Sequence, residues 1–291
     1  MKSSPYEKSS GLFRGLYFCA VRLDELQTLA QMRAHPQPHL AQNRPDSSVS
    51  YYWSGEVIRS RSVSDTVLSG TVDVPAPSAR LIADWERDIS LRLSLEPGDV
   101  EALPLARARA RWPDYRQCVQ AVSDWTDALG LHHVLASSDV ALMACRGAKY
   151  HHDGAQYGGS AFCNLFLTED KGLDLHFPST ACRIPLVRGT VVVFDTGQPH
   201  AVIQRNSNGF HAVDFLPDQD CTQVFLTWEL PIEHDRLQQA LGISFDIDPT
   251  TAQLLDEEQV WLNGVRVSVC PESGLWHHCI SGSHQSPVRL P

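Results

Sequence analysis

The sequence has no apolar run approaching the roughly 18 residues that a membrane-spanning helix needs. Positive charge is also short. Twenty-four Lys and Arg stand against 34 Asp and Glu, a formal net charge of −10. Nucleic-acid binding is not expected from that balance, because phosphate contacts need clustered cations. Arg107, Arg109 and Arg111 alternate in "LARARARW", but such a strip reads as a solvated face. The eight cysteines include no CxxC pair. Cys19, Cys118, Cys145, Cys163, Cys182, Cys221, Cys270 and Cys279 are scattered singly, several inside apolar runs, and read as reduced thiols rather than a disulfide frame. The opening "MKSSPYEKSSGLFRG" lacks the apolar core of an export signal, so the cytoplasm is the expected location. Internal repeats and low-complexity segments are missing too.

What is present divides near residue 138. Before it, the spacing predicts helices over 22–34, 78–93 and 115–129. Ser78 suits the N-cap of the second, with Pro97 and Gly98 beyond its end; Asp114 and Gly130 bracket the third. The segment 35–77, rich in Pro, Ser and polar residues, reads as loop with short strands, its Tyr51, Tyr52 and Trp53 serving as packing anchors. After 138, eight short β-rich runs follow one another: 140–145, 160–167, 173–177, 183–187, 190–194, 200–204, 210–216 and 222–230. Gly, Pro, Asn or Asp separates most of them, the mark of an antiparallel sandwich or barrel. A helix near 233–241 closed by Gly242 and a hairpin turning at Asn263-Gly264 complete the pattern. The expected fold is mainly β with flanking helices: one domain over 1–291, with a mixed N-terminal part (1–138), a jelly-roll core (139–230) and a C-terminal extension (231–291). His277, His278, Cys270 and Cys279 fit no zinc spacing and read as a mobile tail.

One stretch concentrates metal-binding chemistry. In "KYHHDGAQYGG" (149–159), His151 and Asp153 are two residues apart, so in extended backbone both face one way while His152 faces the other. The glycines and alanine that follow leave room beside them. His200 opens a later run, after "TVVVFDTGQP". In a rolled sheet His151, Asp153 and His200 can meet at one mouth of the core, and two imidazoles with one carboxylate form the facial triad of non-heme Fe(II) enzymes. His176, in "LDLHF", reads as a packing residue.

The HxD pair, the "GLDLHFP" run (172–178), the "GTVVVFD" strand and the histidine after it resemble, in order and spacing, the double-stranded β-helix core of the Fe(II)/2-oxoglutarate-dependent oxygenases. The likeness covers about 140–216. It implies that His151, Asp153 and His200 hold Fe(II), that 2-oxoglutarate and O₂ are co-substrates, and that a small organic molecule is hydroxylated. Asp153 stands where the halogenating branch has a small residue. That family usually anchors the far carboxylate of 2-oxoglutarate with an Arg or Lys about ten residues after the second histidine; here "NSNGFHAVDF" contains neither. Arg205 is the first candidate for the anchor, with Arg146, Arg188 and His211 behind it, and Asn164 as an amide donor. Two alternatives stay open: a cupin-like metal enzyme working without 2-oxoglutarate, and a non-catalytic small-molecule-binding jelly roll.

Overall fold

The structure is a computed structural model that describes residues 47–92, 96–216 and 218–279. The helix expected over 22–34 and Cys19 lie outside the described residues. Three strands come first, β1 (Ser48–Ser54), β2 (Val57–Ser62) and β3 (Val67–Thr71). Helix α1 (Ala79–Arg92), strand β4 (Val100–Leu103) and helices α2 (Leu105–Arg109) and α3 (Tyr115–Ala128) follow. The next eight strands run from β5 (Asp139–Cys145) and β6 (Ala148–His151) through β7 (Ser160–Phe166), β8 (Leu173–Phe177) and β9 (Cys182–Pro185) to β10 (Thr190–Asp195), β11 (His200–Gln204) and β12 (Gln223–Pro231). The chain continues through α4 (Asp235–Leu241), α5 (Pro249–Ala252), β13 (Gln259–Leu262), β14 (Val265–Val269) and β15 (Trp276–His278). Among the described residues no helix is long and apolar enough to cross a membrane.

The eight strands β5 to β12 divide four and four between two antiparallel sheets. One has the order β3-β10-β7-β12-β5-β4, the other β6-β11-β8-β9. The chain crosses from one sheet to the other at every step except the β8–β9 hairpin, which is the winding of a double-stranded β-helix, and the jelly-roll expectation holds. Each face of the larger sheet has its own set of side chains. Leu142, Cys163, Leu165, Val193 and Trp228 face the helices, where Trp85, Cys118, Val122 and Trp125 of α1 and α3 pack on them. Phe166, Val192, Phe194 and Phe225 face the smaller sheet. The period-2 alternation of each run puts every second residue on each face, and both faces are buried, so the runs read as nearly continuous apolar sequence.

The helix boundaries follow the capping signals in part. The Ser78 hydroxyl accepts from the Leu81 amide at 3.3 Å, and Gly130 and Gly242 have the left-handed φ of helix ends (80° and 67°). Asp114 stands at the N-cap of α3, yet its carboxylate caps no amide there. The Asn263-Gly264 hairpin forms, with both residues at positive φ.

Three expectations need correction. The run 210–216 is a single 3₁₀ turn over Ala212–Asp214. Its apolar residues do not alternate into a face: Phe210 and Phe215 stack on each other at 5.4 Å while Val213 is exposed. The eighth core strand is instead β6, hidden in sequence because it is four residues long and follows β5 after a two-residue turn at Arg146-Gly147. The short strands expected within 35–77 are β1, β2 and β3, from residue 48 onward. Of these, β1 and β2 join β13, β14 and β15 in a five-stranded sheet with the order β15-β14-β13-β1-β2. Finally, His277 and His278 lie in β15, paired with Ser268 and Val267, not in a tail.

Gly189, in the turn before β10, has φ +87°, and a Cβ there would sit 2.2 Å from the Val72 carbonyl oxygen. Its amide and carbonyl are both bonded, to Phe166 and Val72, so the backbone has no freedom to withdraw. Gly189→Ala should therefore lower stability by about 1–3 kcal/mol or more in urea unfolding, through combined φ strain and overlap. An unchanged midpoint would mean that the turn relaxes.

Candidate metal centre

His151 ends β6 and His200 opens β11, and the two are directly paired across the smaller sheet. Their rings lie 4.4 Å apart between centroids. Two residues beyond His151, the chain is held by the Asp153 amide, which donates to the Thr196 carbonyl at 2.7 Å. This turns the Asp153 carboxylate back towards both rings: its Oδ2 is 3.5 Å from His200 Nε2 and 3.8 Å from His151 Nε2. One nitrogen from each imidazole and one carboxylate oxygen all lie within 4.8 Å of one another.

The tautomers are set from behind. His151 Nδ1 lies 2.7 Å from the Lys149 carbonyl oxygen and His200 Nδ1 lies 3.0 Å from that of Gln198. A carbonyl only accepts, so each Nδ1 carries the proton and each Nε2 presents a lone pair to the shared point. Burial, reinforced by the charge of neighbouring His151, holds His200 well below the usual histidine range, so it stays neutral, the ligating form. Asp153 is pushed the other way, upward, chiefly by burial. A carboxylate in that position gains from a cation, and the donor set fits a divalent metal with open coordination positions. His152 points away, as the parity of the strand requires. Its ring packs against Trp276 at 5.4 Å, its Nδ1 has no partner, and burial lowers its pKa to about 4.

A cavity of about 350 Å³ opens from the triad between the two sheets. Asn164 lines it, with its Oδ1 accepting from the Thr227 hydroxyl of the adjacent strand β12. Arg205 and Arg146 do not line it. Arg205 leaves β11 on the outer side, where Nε donates to Asp174 at 2.9 Å and the remaining nitrogens hold Asp170. The two carboxylates outside provide a better place for the guanidinium than the apolar interior. Arg146 donates to the Phe215 and Leu216 carbonyls, and Arg188 pairs with Glu169. His211 is exposed. Among the described residues no Lys or Arg side chain lines the cavity. The residues that sequence reasoning missed are Tyr157, Thr227 and Glu229. Strict alternation along "QVFLTWELP" would have placed Phe225, Thr227 and Glu229 on one face.

One further residue organises the centre without touching it. Arg61 of β2 and Asp195 at the end of β10 are both fully buried and form a two-pronged pair at 2.7 and 2.9 Å. Arg61 Nε also donates to the Gly158 carbonyl at 2.8 Å. Asp195 accepts in addition from the amides of Ser64 and Gly197. The side chain thus ties the loop after Asp153 to the loop before His200. Loss of one partner from such a pair typically costs about 3–5 kcal/mol, so Arg61→Met should destabilise by that amount in urea unfolding. Arg61→Lys keeps the charge but cannot span both oxygens. It should recover part of the stability and still bind divalent metal more weakly than wild type. Equal metal affinity would show that the loops hold their places without the fork.

No family model and no curated protein matches the chain. Solved structures that resemble it include EvdO2 from Micromonospora carbonacea var. aurantiaca, at 12% identity over 57% of this chain and 86% of that one, with a TM-score of 0.35. A prolyl-4-hydroxylase from Pseudomonas putida is 17% identical over 57% and 92%, with a TM-score of 0.33. The non-heme alpha-ketoglutarate-dependent epimerase SnoN from nogalamycin biosynthesis is 10% identical over 56% and 76%, with a TM-score of 0.31. In this chain, independently of those likenesses, a double-stranded β-helix carries two histidines and a carboxylate converging at its mouth.

Proposed function

We propose that the protein is a mononuclear non-heme Fe(II) oxygenase that hydroxylates a small organic molecule. The observation that carries this reading is the convergence of His151, Asp153 and His200, with both Nε2 atoms freed by carbonyl bonds to Nδ1. Bound Fe(II) would supply the activation of O₂. The chain's own part is to hold three donors on one side of the ion and leave the cavity side open. Phe162, Phe166, Phe194 and Phe225 give that side apolar walls that exclude water from the reacting carbon. Arg61 reaching from β2 into both ligand loops supports reading the chain as a single domain.

The co-substrate is where residues and resemblance part. The distal carboxylate of 2-oxoglutarate needs a cation or several donors once buried. Beside β7 and β12 the described cavity offers the neutral Asn164 amide, the Thr227 proton being given to Asn164 Oδ1. That misfit favours the second reading, a cupin-like metal enzyme, such as a dioxygenase or isomerase, that acts without 2-oxoglutarate. Anaerobic Fe(II) titration with and without 2-oxoglutarate separates the two. A visible charge-transfer band and succinate release support the first reading. Tight Fe(II) binding with neither supports the second. Wild-type protein that binds no metal at all leaves only the non-catalytic binding module.

Two expected outcomes test the triad. His151→Ala, Asp153→Ala and His200→Ala should each keep their circular dichroism and lose Fe(II) at micromolar free metal, whereas His152→Ala should retain it. Metal loss in His152→Ala but not His151→Ala would overturn the ligand assignment. Asp153→Gly should abolish oxidation while the protein stays folded, and substantial remaining activity would remove the carboxylate from the ligand set.

A further inference from the structure

The charge inside the cavity is one-sided. Apart from Asp153, the one carboxylate lining it is Glu229, on the cavity face of β12, and no described cation lines it. The Glu229 carboxylate has no hydrogen bond or ion pair among the described residues. Directly across the strand pair stands Asp139, the register partner of Glu229 on β5. Like charges directly opposite each other on antiparallel strands repel. Burial first and then Asp139 push the Glu229 carboxyl upward. On its other side, the register partner of Glu229 is Phe162, whose ring meets that of Tyr157 edge-on at 5.2 Å. Tyr157 links this corner to the metal centre, since its amide donates to the Asp153 carbonyl at 2.8 Å and its side chain lines the same cavity as Glu229.

We propose that this cavity selects an organic cation, an ammonium or guanidinium group on an apolar body, with its charge held at the mouth by Glu229 beside the rings of Tyr157 and Phe162. Such a group would neutralise the Glu229–Asp139 repulsion and lie against aromatic rings that attract cations. Its apolar body would fill the phenylalanine-lined interior and bring a carbon towards the triad. Arg205, Arg146 and Arg188, which could have favoured an anionic ligand, are engaged outside the cavity or with backbone carbonyls. The inference rests on the reading that this cavity is the substrate site of the metal centre.

Matched probes test it: 4-phenylbutylammonium and 4-phenylbutanol, titrated by NMR against the full chain, metal-free and loaded with Zn(II) as a diamagnetic stand-in. A partly exposed carboxylate should favour the ammonium over the alcohol by about three- to tenfold. Glu229→Gln should bring that ratio to about one, and Glu229→Lys should invert it. A wild-type ratio near one, a ratio unchanged in Glu229→Gln, or binding of neither probe overturns the inference. Fe(II) titration of the same preparations keeps the two readings apart. A wild type that prefers the ammonium but binds no metal sinks the oxygenase reading and leaves the cation preference standing.

Discussion

A fully buried ion pair is an expensive thing to build into a fold, since both charges lose water that their mutual attraction only partly replaces. Arg61 and Asp195 meet that cost through saturation. Each Asp195 oxygen accepts from Arg61 and from a backbone amide, and Arg61 further satisfies the carbonyls of Gly158 and Ser62. The pair is also where separate layers of the molecule meet. One partner comes from the sheet built by β1, β2 and β13 to β15, the other from the last residue of β10. Between them they fix the two loops on which Asp153 and His200 depend.

That fixation has a chemical consequence. A metal ligand is useful only if its lone pair points at one place, and three ligands must agree to within a fraction of an ångström. The pairing of His151 with His200 across β6 and β11 sets two rings side by side. The Thr196 carbonyl, in the turn that Asp195 anchors, then holds the Asp153 backbone in place. Thr196 reaches further, its hydroxyl lying within bonding distance of the carbonyls of Tyr157 and Ser160. The loops at the mouth are therefore cross-braced before any ion arrives, and the small residues Gly154 and Gly158 let them close-pack: a Cβ at either would press on neighbouring backbone.

The cavity behind the triad shows a division of labour along one strand. On β12, Leu226 and Trp228 bury against the helices while Phe225, Thr227 and Glu229 look inward. Apolar, neutral and acidic residues follow one another from the closed end to the mouth. An interior with no cation among the described residues is consistent chemistry for a ligand that brings its own positive charge. To a dicarboxylate it offers no cationic partner among the described residues.

The sequence alone determined the alternation of short apolar runs, the parity that sets His151 and Asp153 apart from His152, and the place of His200 at the head of a strand. These follow from local geometry, a period of two and a turn, which any extended segment must obey. Short or irregular pieces escaped that logic: β6 is four residues long, and the run at 210–216 has β-forming residues but only a turn's worth of buried ones. Tertiary structure decided what depends on distant partners. Pairing of β1 with β13 joins segments some two hundred residues apart. The burial of Arg61 against Asp195, and the capture of Arg205 by Asp170 and Asp174 outside the cavity, are choices among carboxylates that the chain offers in several places. A side chain's charge can be read from its letter, but which opposite charge it meets is fixed only when the sheets have closed.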